Sequence, residues 1–282
     1  MLSYRHAFHA GNHADVLKHY VLRLVLEYTK QKEKPFWYID THAGAGMYSL
    51  TQGYATQNAE FELGIAKLLS AKHLPSSLAE FVTQIKSHNL GDDPIKFYPG
   101  SPMVAYDCLR ADDKMRLFEL HPSDCKLLIE NFRGQSKQVK IEMQNGFNGI
   151  KACLPSPSRR AVVLIDPPYE DKQDYQHVVS MIKECLSRFA SGTYLVWYPL
   201  LQRPEPDLML AELQKLNIPS WLNVTLRIQA PAIEGFGMFG SGLFIINPPW
   251  TLQATLNESM PILTQLLALD AHASFSITSK TN

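Results

Sequence analysis

Three apolar runs that close on an acid set the rhythm of the chain: Phe36-Trp37-Tyr38-Ile39-Asp40, Met115-Arg116-Leu117-Phe118-Glu119 and Ala161-Val162-Val163-Leu164-Ile165-Asp166. Short apolar runs of this kind suit strands buried on both faces of a parallel sheet. Val139, Ile141 and Met143 alternate as another strand, and 194–198, 224–228 and 243–246 read as three more. Helical spacing appears between them. Leu17, Tyr20, Val21, Leu24 and Tyr28 share one face behind Asn12, a cap with Asp15 three residues on. Phe61, Ile65, Leu68 and Leu69 form a second stripe, and Leu78, Phe81, Val82 and Ile85 a third, with Ser77 and Glu80 spaced as a capping box. Further helices are expected at Leu127, Leu128 and Phe132, at Val178, Val179, Ile182, Leu186 and Phe189, and over 208–216.

Strand–helix alternation ending in two strands predicts an α/β fold, a doubly wound sheet with a terminal antiparallel hairpin. The helices between the first two strands predict a small inserted helical subdomain. The expected division is an N-terminal arm and helix (1–34), a main domain (35–53 with 97–282) and a helical insertion (54–96). Residues 236–240 read as a mobile link within the hairpin.

Pro167 and Pro168 cannot continue a ladder, so the third run must stop at Asp166. A carboxylate, a stiff backbone and the ring of Tyr169 then stand at the carboxyl end of a central strand, where open α/β sheets bind ligands. This group suits methylation of an exocyclic amine. The acid and a proline-fixed carbonyl can accept the two N–H bonds of an adenine amino group, and Tyr169 can stack on an extruded base. The plainer reading is a strand followed by a turn, with Tyr169 plugging the core.

Asp40 leads into Thr41-His42-Ala43-Gly44-Ala45-Gly46, an acid plus a glycine loop of the kind that receives a nucleotide cofactor, although His42 replaces the first glycine of the usual pattern. Alone it could be any strand–turn–helix. Glu119 stands where a carboxylate can accept two ribose hydroxyls. Asn145-Gly146 is first a turn signal and second a contact for an adenine ring. Tyr98-Pro99-Gly100-Ser101-Pro102 reads as a turn into a helix with Ser101 as its cap. Asn247-Pro248-Pro249-Trp250 repeats the Asp166 pattern, but it follows the last strand rather than a central one and is expected to be structural.

Composition narrows this picture. The chain has 282 residues, 45% hydrophobic, enough for a large core, and zero formal net charge, which allows only a local basic patch for nucleic acid. Cys108, Cys125, Cys153 and Cys185 are scattered, as reduced thiols of a cytosolic protein would be. The first residues lack the apolar core of a signal peptide, and no membrane span is expected. His9 and His13 would lie one turn apart, yet no acid or cysteine cluster accompanies them to build a metal site. Tyr4, Phe8 and the histidines and lysines of 1–34 suggest an RNA-facing lid or, more plainly, a solvated basic arm.

Taken together, Ser3-Tyr4-Arg5-His6, Gly11 to His19, Asp40 to Gly46, Tyr98 to Pro102, Glu119-Leu120-His121-Pro122, Asp166 to Glu170 and Asn247 to Trp250 make the chain resemble the bacterial 23S ribosomal RNA adenine-N6 methyltransferase family designated J. The resemblance implies a Rossmann-like class I methyltransferase sheet with a small helical insertion. It implies S-adenosylmethionine as cofactor and the N6 of one adenine in 23S rRNA (adenine 2030 in the family) as target, in naked or partly assembled large-subunit RNA. By motif, His19, His42, Ser101, Glu119, Asn145, Gly146 and Asp166 would surround the cofactor, with Asp166 the catalytic acceptor. Tyr4, His6 and Lys18 would lie on the substrate side with Pro167 and Tyr169. Asn145 stands where relatives can carry Asp, which removes a charge from that contact. A cytoplasmic monomer needing no metal and no membrane is expected. The same four-residue motif also serves DNA adenine and protein glutamine methyltransferases, and a non-catalytic rRNA assembly factor is the third reading.

Overall fold

The structure, a computed structural model, describes residues 6–51, 59–90, 94–235 and 237–281, with the side chain of His6 outside that set. After a 3-10 turn at His6–Phe8, α1 (His13–Thr29) leads into β1 (Trp37–Asp40) and a short β2 (Met47–Ser49). A second 3-10 turn (Glu60–Leu63) and helices α2 (Ile65–Leu69) and α3 (Ser76–Ser87) precede β3 (Phe97–Pro99) and α4 (Ser101–Cys108). Next come β4 (Lys114–Phe118), α5 (Pro122–Asn131), β5 (Val139–Glu142), α6 (Gly146–Gly149), β6 (Ala161–Ile165), α7 (Gln173–Arg188) and β7 (Thr193–Leu200). The chain continues through α8 (Glu205–Lys215), β8 (Trp221–Arg227), β9 (Gly240–Ile246), α9 (Leu252–Leu267) and β10 (Ser274–Lys280).

Eight strands form one sheet in the order β10-β8-β9-β7-β6-β1-β4-β5. From β5 to β7 every pairing is parallel, while β9 runs antiparallel to both β7 and β8. The expected α/β architecture and terminal antiparallel pair are therefore present. Because β1 feeds β4 on one side and lies against β6 on the other, the strand order reverses at β1. That reversal opens a crevice beyond the carboxyl ends of β1 and β6.

Period two along the central strands divides the core between two faces. Tyr38, Val162, Leu164 and Leu195 face α1, α4 and α9, whereas Ile39, Val163, Ile165 and Val196 face α7 and α8. All five residues of β6 are buried, and each fully buried branched side chain stabilises the fold by roughly 1.5–3 kcal/mol. Helix α1 is buried well beyond its expected stripe, including Val16, Leu22, Val25 and Leu26. Asn12 caps it as expected, accepting from the backbone N–H groups of Ala14 and Asp15.

Three local expectations fail for the same reason, a distant partner outcompeting a local one. Ser77 and Glu80 make no capping box: the Ser77 hydroxyl bonds Tyr20, and Glu80 accepts from Arg23, both on α1. Ser101 is the first residue of α4 rather than its cap, and its hydroxyl donates to Asp40. Tyr98 lies in the β2–β3 ladder, where the sequence suggested only a turn. Of the 236–240 link, Phe236 lies outside the described residues. Phe239 is tied down on both sides, its N–H donating to Leu200 at the end of β7 and its carbonyl accepting from Ile228 just past β8. Among the described residues no helix is long and apolar enough to cross a membrane.

Candidate active site

Strand register decides which side chains meet. Asp40 pairs with Leu164 and Ile165 with Val196, so His42 and Asp166, just past the ends of β1 and β6, stand abreast of Trp197 within β7. A cavity of about 1040 Å³ opens there, lined by the glycine loop, Glu119, Asn145, Gly146, the Asp166–Asp174 segment, and Lys18 and His19 of α1.

Asp40 is fully buried and cannot point into that cavity as a free acid. Tyr38 and Ser101 donate to its Oδ2 at 2.7 and 2.8 Å, and the His42 N–H donates to Oδ1 at 3.2 Å. Burial raises its pKa, and these bonds oppose the rise. Its role is to hold the first turn of the glycine loop in place. Gly44 and Gly46 take φ values of +61° and +81°, which a side chain would strain. The Gly44 N–H donates to Glu119 Oε2 and the His121 N–H to Oε1, both at 2.7 Å. Glu119 is thereby fixed at the end of β4 with burial pushing its pKa up. At Gly146 an added Cβ would overlap the Thr41 carbonyl, so the two loops are in direct backbone contact. Asn145 caps α6 by accepting from the Phe147 N–H.

His42 packs edge-on against Phe147, ring centroids 5.0 Å apart, and its Nδ1 lies 2.8 Å from the Thr41 hydroxyl. Burial lowers its pKa to about 4, Asp166 offsetting only part of the drop, so the ring is neutral at physiological pH. His19 is fully buried, with Nδ1 2.9 Å from Tyr98 Oη and its ring stacked on that tyrosine.

The densest electrostatics lie at Lys18. This lysine is only 4% exposed, and its ammonium donates to Asp166 Oδ2 at 2.6 Å and pairs with Asp15 at 2.9 Å. Burial disfavours its charge, but the two carboxylates outweigh that and raise its pKa. Lys18 also lies over the Trp197 ring, 5.9 Å from its centroid.

Tyr169 departs from its expected role as an open stacking platform. It is 3% exposed, its ring packs on Tyr175 at 4.5 Å, and its hydroxyl donates to the Trp197 carbonyl. The plug reading describes this conformation, because a residue at φ +53° turns the ring back into the core. Pro167 and Pro168 line the cavity. Tyr4 lies outside the described residues. His6 opens the first 3-10 turn, but its side chain lies outside them too.

The two Asn/Asp-Pro-Pro-aromatic motifs end up at opposite edges of the sheet. Because β9 is antiparallel to β7 and Ile246 pairs with Tyr194, Asn247 falls at the amino end of β7. Its side chain donates to the carbonyls of Ala190 and Gly192 at 2.8 Å, and it does not line the cavity. The Nδ1 of His9 bonds Glu60, at 2.9 and 3.0 Å from the two oxygens. Among the described residues no three His, Cys, Asp or Glu are grouped to hold a metal ion.

Residues passed over in the sequence also belong to the site. Asp15 has an i, i+3 relation to Lys18 that could have flagged it; Trp197 and Arg203 reach the cavity only through the β6–β7 register, which local sequence does not display.

Residues 33–278 match the model of a family described as ribosomal RNA large subunit methyltransferase D, RlmJ. The chain is 44% identical over 277 residues to the ribosomal RNA large subunit methyltransferase J of Haemophilus influenzae, covering 98% of each chain. It is 46% identical over 263 residues to the Escherichia coli K12 protein of the same name, covering 93% of each. A crystal structure of a Legionella pneumophila protein superposes with a TM-score of 0.88 at 34% identity, covering 96% of this chain and 98% of that one.

Proposed function

Because the chain belongs to the ribosomal RNA large subunit methyltransferase J family, we propose that it methylates the exocyclic N6 of a single adenine of 23S rRNA, adenine 2030 in the family's numbering. It is an rRNA methyltransferase, and S-adenosylmethionine supplies the methyl already activated on a sulfonium. The RNA is taken naked or partly assembled, in the cytoplasm.

The residues present fit that cofactor. Two loops too close for a side chain at Gly146, a carboxylate held at the end of β4 and an uncharged His42 make a cradle for a nucleoside next to an acid. Glu119 would take the ribose hydroxyls, Asn145 and Gly146 the adenine edge, and His19, His42 and Ser101 the surrounding shell. Asn145 Oδ1 already serves the Phe147 N–H, so its second lone pair is the one left for the cofactor's amino group.

On the substrate side, Lys18 engages Asp166 Oδ2 and leaves Oδ1 for the incoming amino group. Asp166 and the Pro167 carbonyl would accept the two N–H bonds, turning the nitrogen lone pair toward the methyl and offsetting the charge that develops on nitrogen. Tyr4 and His6 complete the substrate side in this reading. For Tyr169 to stack on the base, its ring would have to leave Tyr175.

The observation that carries the proposal is the Asp166 carboxylate at the rim of a cavity it shares with Glu119 and Gly146. Asp166→Asn is expected to cut tritiated methyl incorporation into transcribed 23S RNA by at least about 100-fold at saturating cofactor. Near-normal incorporation would remove Asp166 from this role. Duplex DNA and a release-factor peptide, offered in parallel, should take up no label.

A further inference from the structure

The turn that presents Asp166 is bound at three points to β7 and to the segment that follows it. The Tyr169 hydroxyl donates to the Trp197 carbonyl of β7 at 2.7 Å. Past the end of β7, one terminal nitrogen of Arg203 donates to the Tyr169 carbonyl at 3.2 Å and to the Tyr175 hydroxyl at 3.0 Å. Lys172, at the far end of the turn, pairs with Glu205 at 2.8 Å, and Glu205 lies 4.0 Å from Arg203 Nε. The guanidinium also sits over the Tyr175 ring, 5.5 Å from its centroid.

These ties hold a backbone that would otherwise relax. Tyr169 is at φ +53°, in the left-handed region that disfavours a residue with a Cβ. The two prolines before it are stiff, so a shift at Tyr169 is transmitted back to Pro167 and Asp166 rather than absorbed between them. Arg203 alone among the three ties grips the main chain of the turn with a side chain.

We propose that Arg203 is a positioning residue for methyl transfer. By fixing the Tyr169 carbonyl, it sets the spacing at which the Asp166 carboxylate and the Pro167 carbonyl meet the amino group. The inference rests on the methyltransferase reading above and adds to it a residue that acts through the turn. A lysine does not fully replace it: both bonds come from one nitrogen, but an ammonium is a point charge with no planar face to lie over the Tyr175 ring.

Steady-state methylation of transcribed 23S RNA by wild type, Arg203→Lys, Arg203→Ala and Tyr175→Phe tests this. Misplacing the acceptors should lower kcat by about 10- to 100-fold in both Arg203 variants and less in Tyr175→Phe. KM for RNA and for the cofactor should stay within about twofold of wild type. Guanidinium ion added to Arg203→Ala should restore part of kcat, which a general loss of folding would not allow. An unchanged kcat in Arg203→Lys and Arg203→Ala overturns the proposal. So does a loss confined to KM for RNA and repaired by lysine, which would make Arg203 a phosphate contact. If Arg203→Ala does not fold, Arg203→Lys and Tyr175→Phe decide by the same criteria. Wild type inactive on RNA sinks the methyltransferase reading and this inference together; wild type active with equally active variants sinks only the latter.

Discussion

At the scale of single residues, the site is built from side chains whose hydrogen-bonding capacity is largely taken up by the protein itself. Asp40 illustrates this: its position after an apolar run marked it as part of a cofactor loop, yet its three bonds go to Tyr38, Ser101 and His42. The residue type was legible, but its partner at Ser101 was not, since 61 positions separate them. Gly146 is the reverse case, a turn signal that proves to be a close approach of two backbones. Gly146→Ala must push its loop away from the Thr41 carbonyl, since an added Cβ would overlap that oxygen. Overpacking of this kind costs about 1–3 kcal/mol. The shift opens the junction between the two loops proposed to cradle the adenosine. The expected result is at least a tenfold loss of S-adenosylhomocysteine affinity by calorimetry, with a lowered urea midpoint. Wild-type affinity in a stable variant would move the cofactor away from this junction.

Elements were legible in proportion to how deeply they are buried. The strands β1, β4 and β6 announced themselves because an unbroken apolar run has few other places to go. By contrast β10, Ser-Phe-Ser-Ile-Thr-Ser-Lys, lies on the sheet edge, paired with β8 and bonded to Gln253 of α9 through Ser279, with only Ile277 half-buried, and its sequence carries almost no apolar signal. Helix α9 went unread for another reason: Pro261 sits inside it, and a proline normally argues for a boundary. The twin proline motifs show what element direction adds to sequence. Both follow buried strands, but β9 runs against β6, so one motif faces the cavity and the other the opposite edge. Asn247→Ala should therefore act on stability alone. It removes two hydrogen bonds and leaves alanine at φ +53°, together about 2 kcal/mol. Urea unfolding should record that loss while kcat stays within twofold of wild type. A parallel collapse of methyl transfer in a folded variant would return Asn247 to the candidate catalytic groups.

The whole molecule joins these local devices through its charge balance, and acid is the means to expose it. Burial holds His13 and His42 near a pKa of about 4 in the folded chain, against an ordinary value of 6.5. Between those limits the unfolded chain binds protons that the folded one refuses, so stability falls as pH drops from 6.5 toward 4. At pH 5.5 each histidine costs on the order of 1.4 kcal/mol relative to neutrality. His9 works in the opposite sense. Its bond to Glu60 raises its pKa, so that contribution is complete below 6.5 and is lost as pH rises through the folded value. Urea unfolding from pH 7.5 to 4.5 should thus show a broad maximum near neutrality with a steeper acid limb. His42→Gln should flatten the acid limb by about the share of one histidine, even if the variant is less stable at every pH, because slope reports protons and not contacts. His9→Gln should instead remove the decline on the alkaline side. An acid limb of unchanged slope in His42→Gln would mean that His42 takes up its proton in the folded chain as readily as in water, and a neutral imidazole beside Asp166 would no longer be available to the cofactor site.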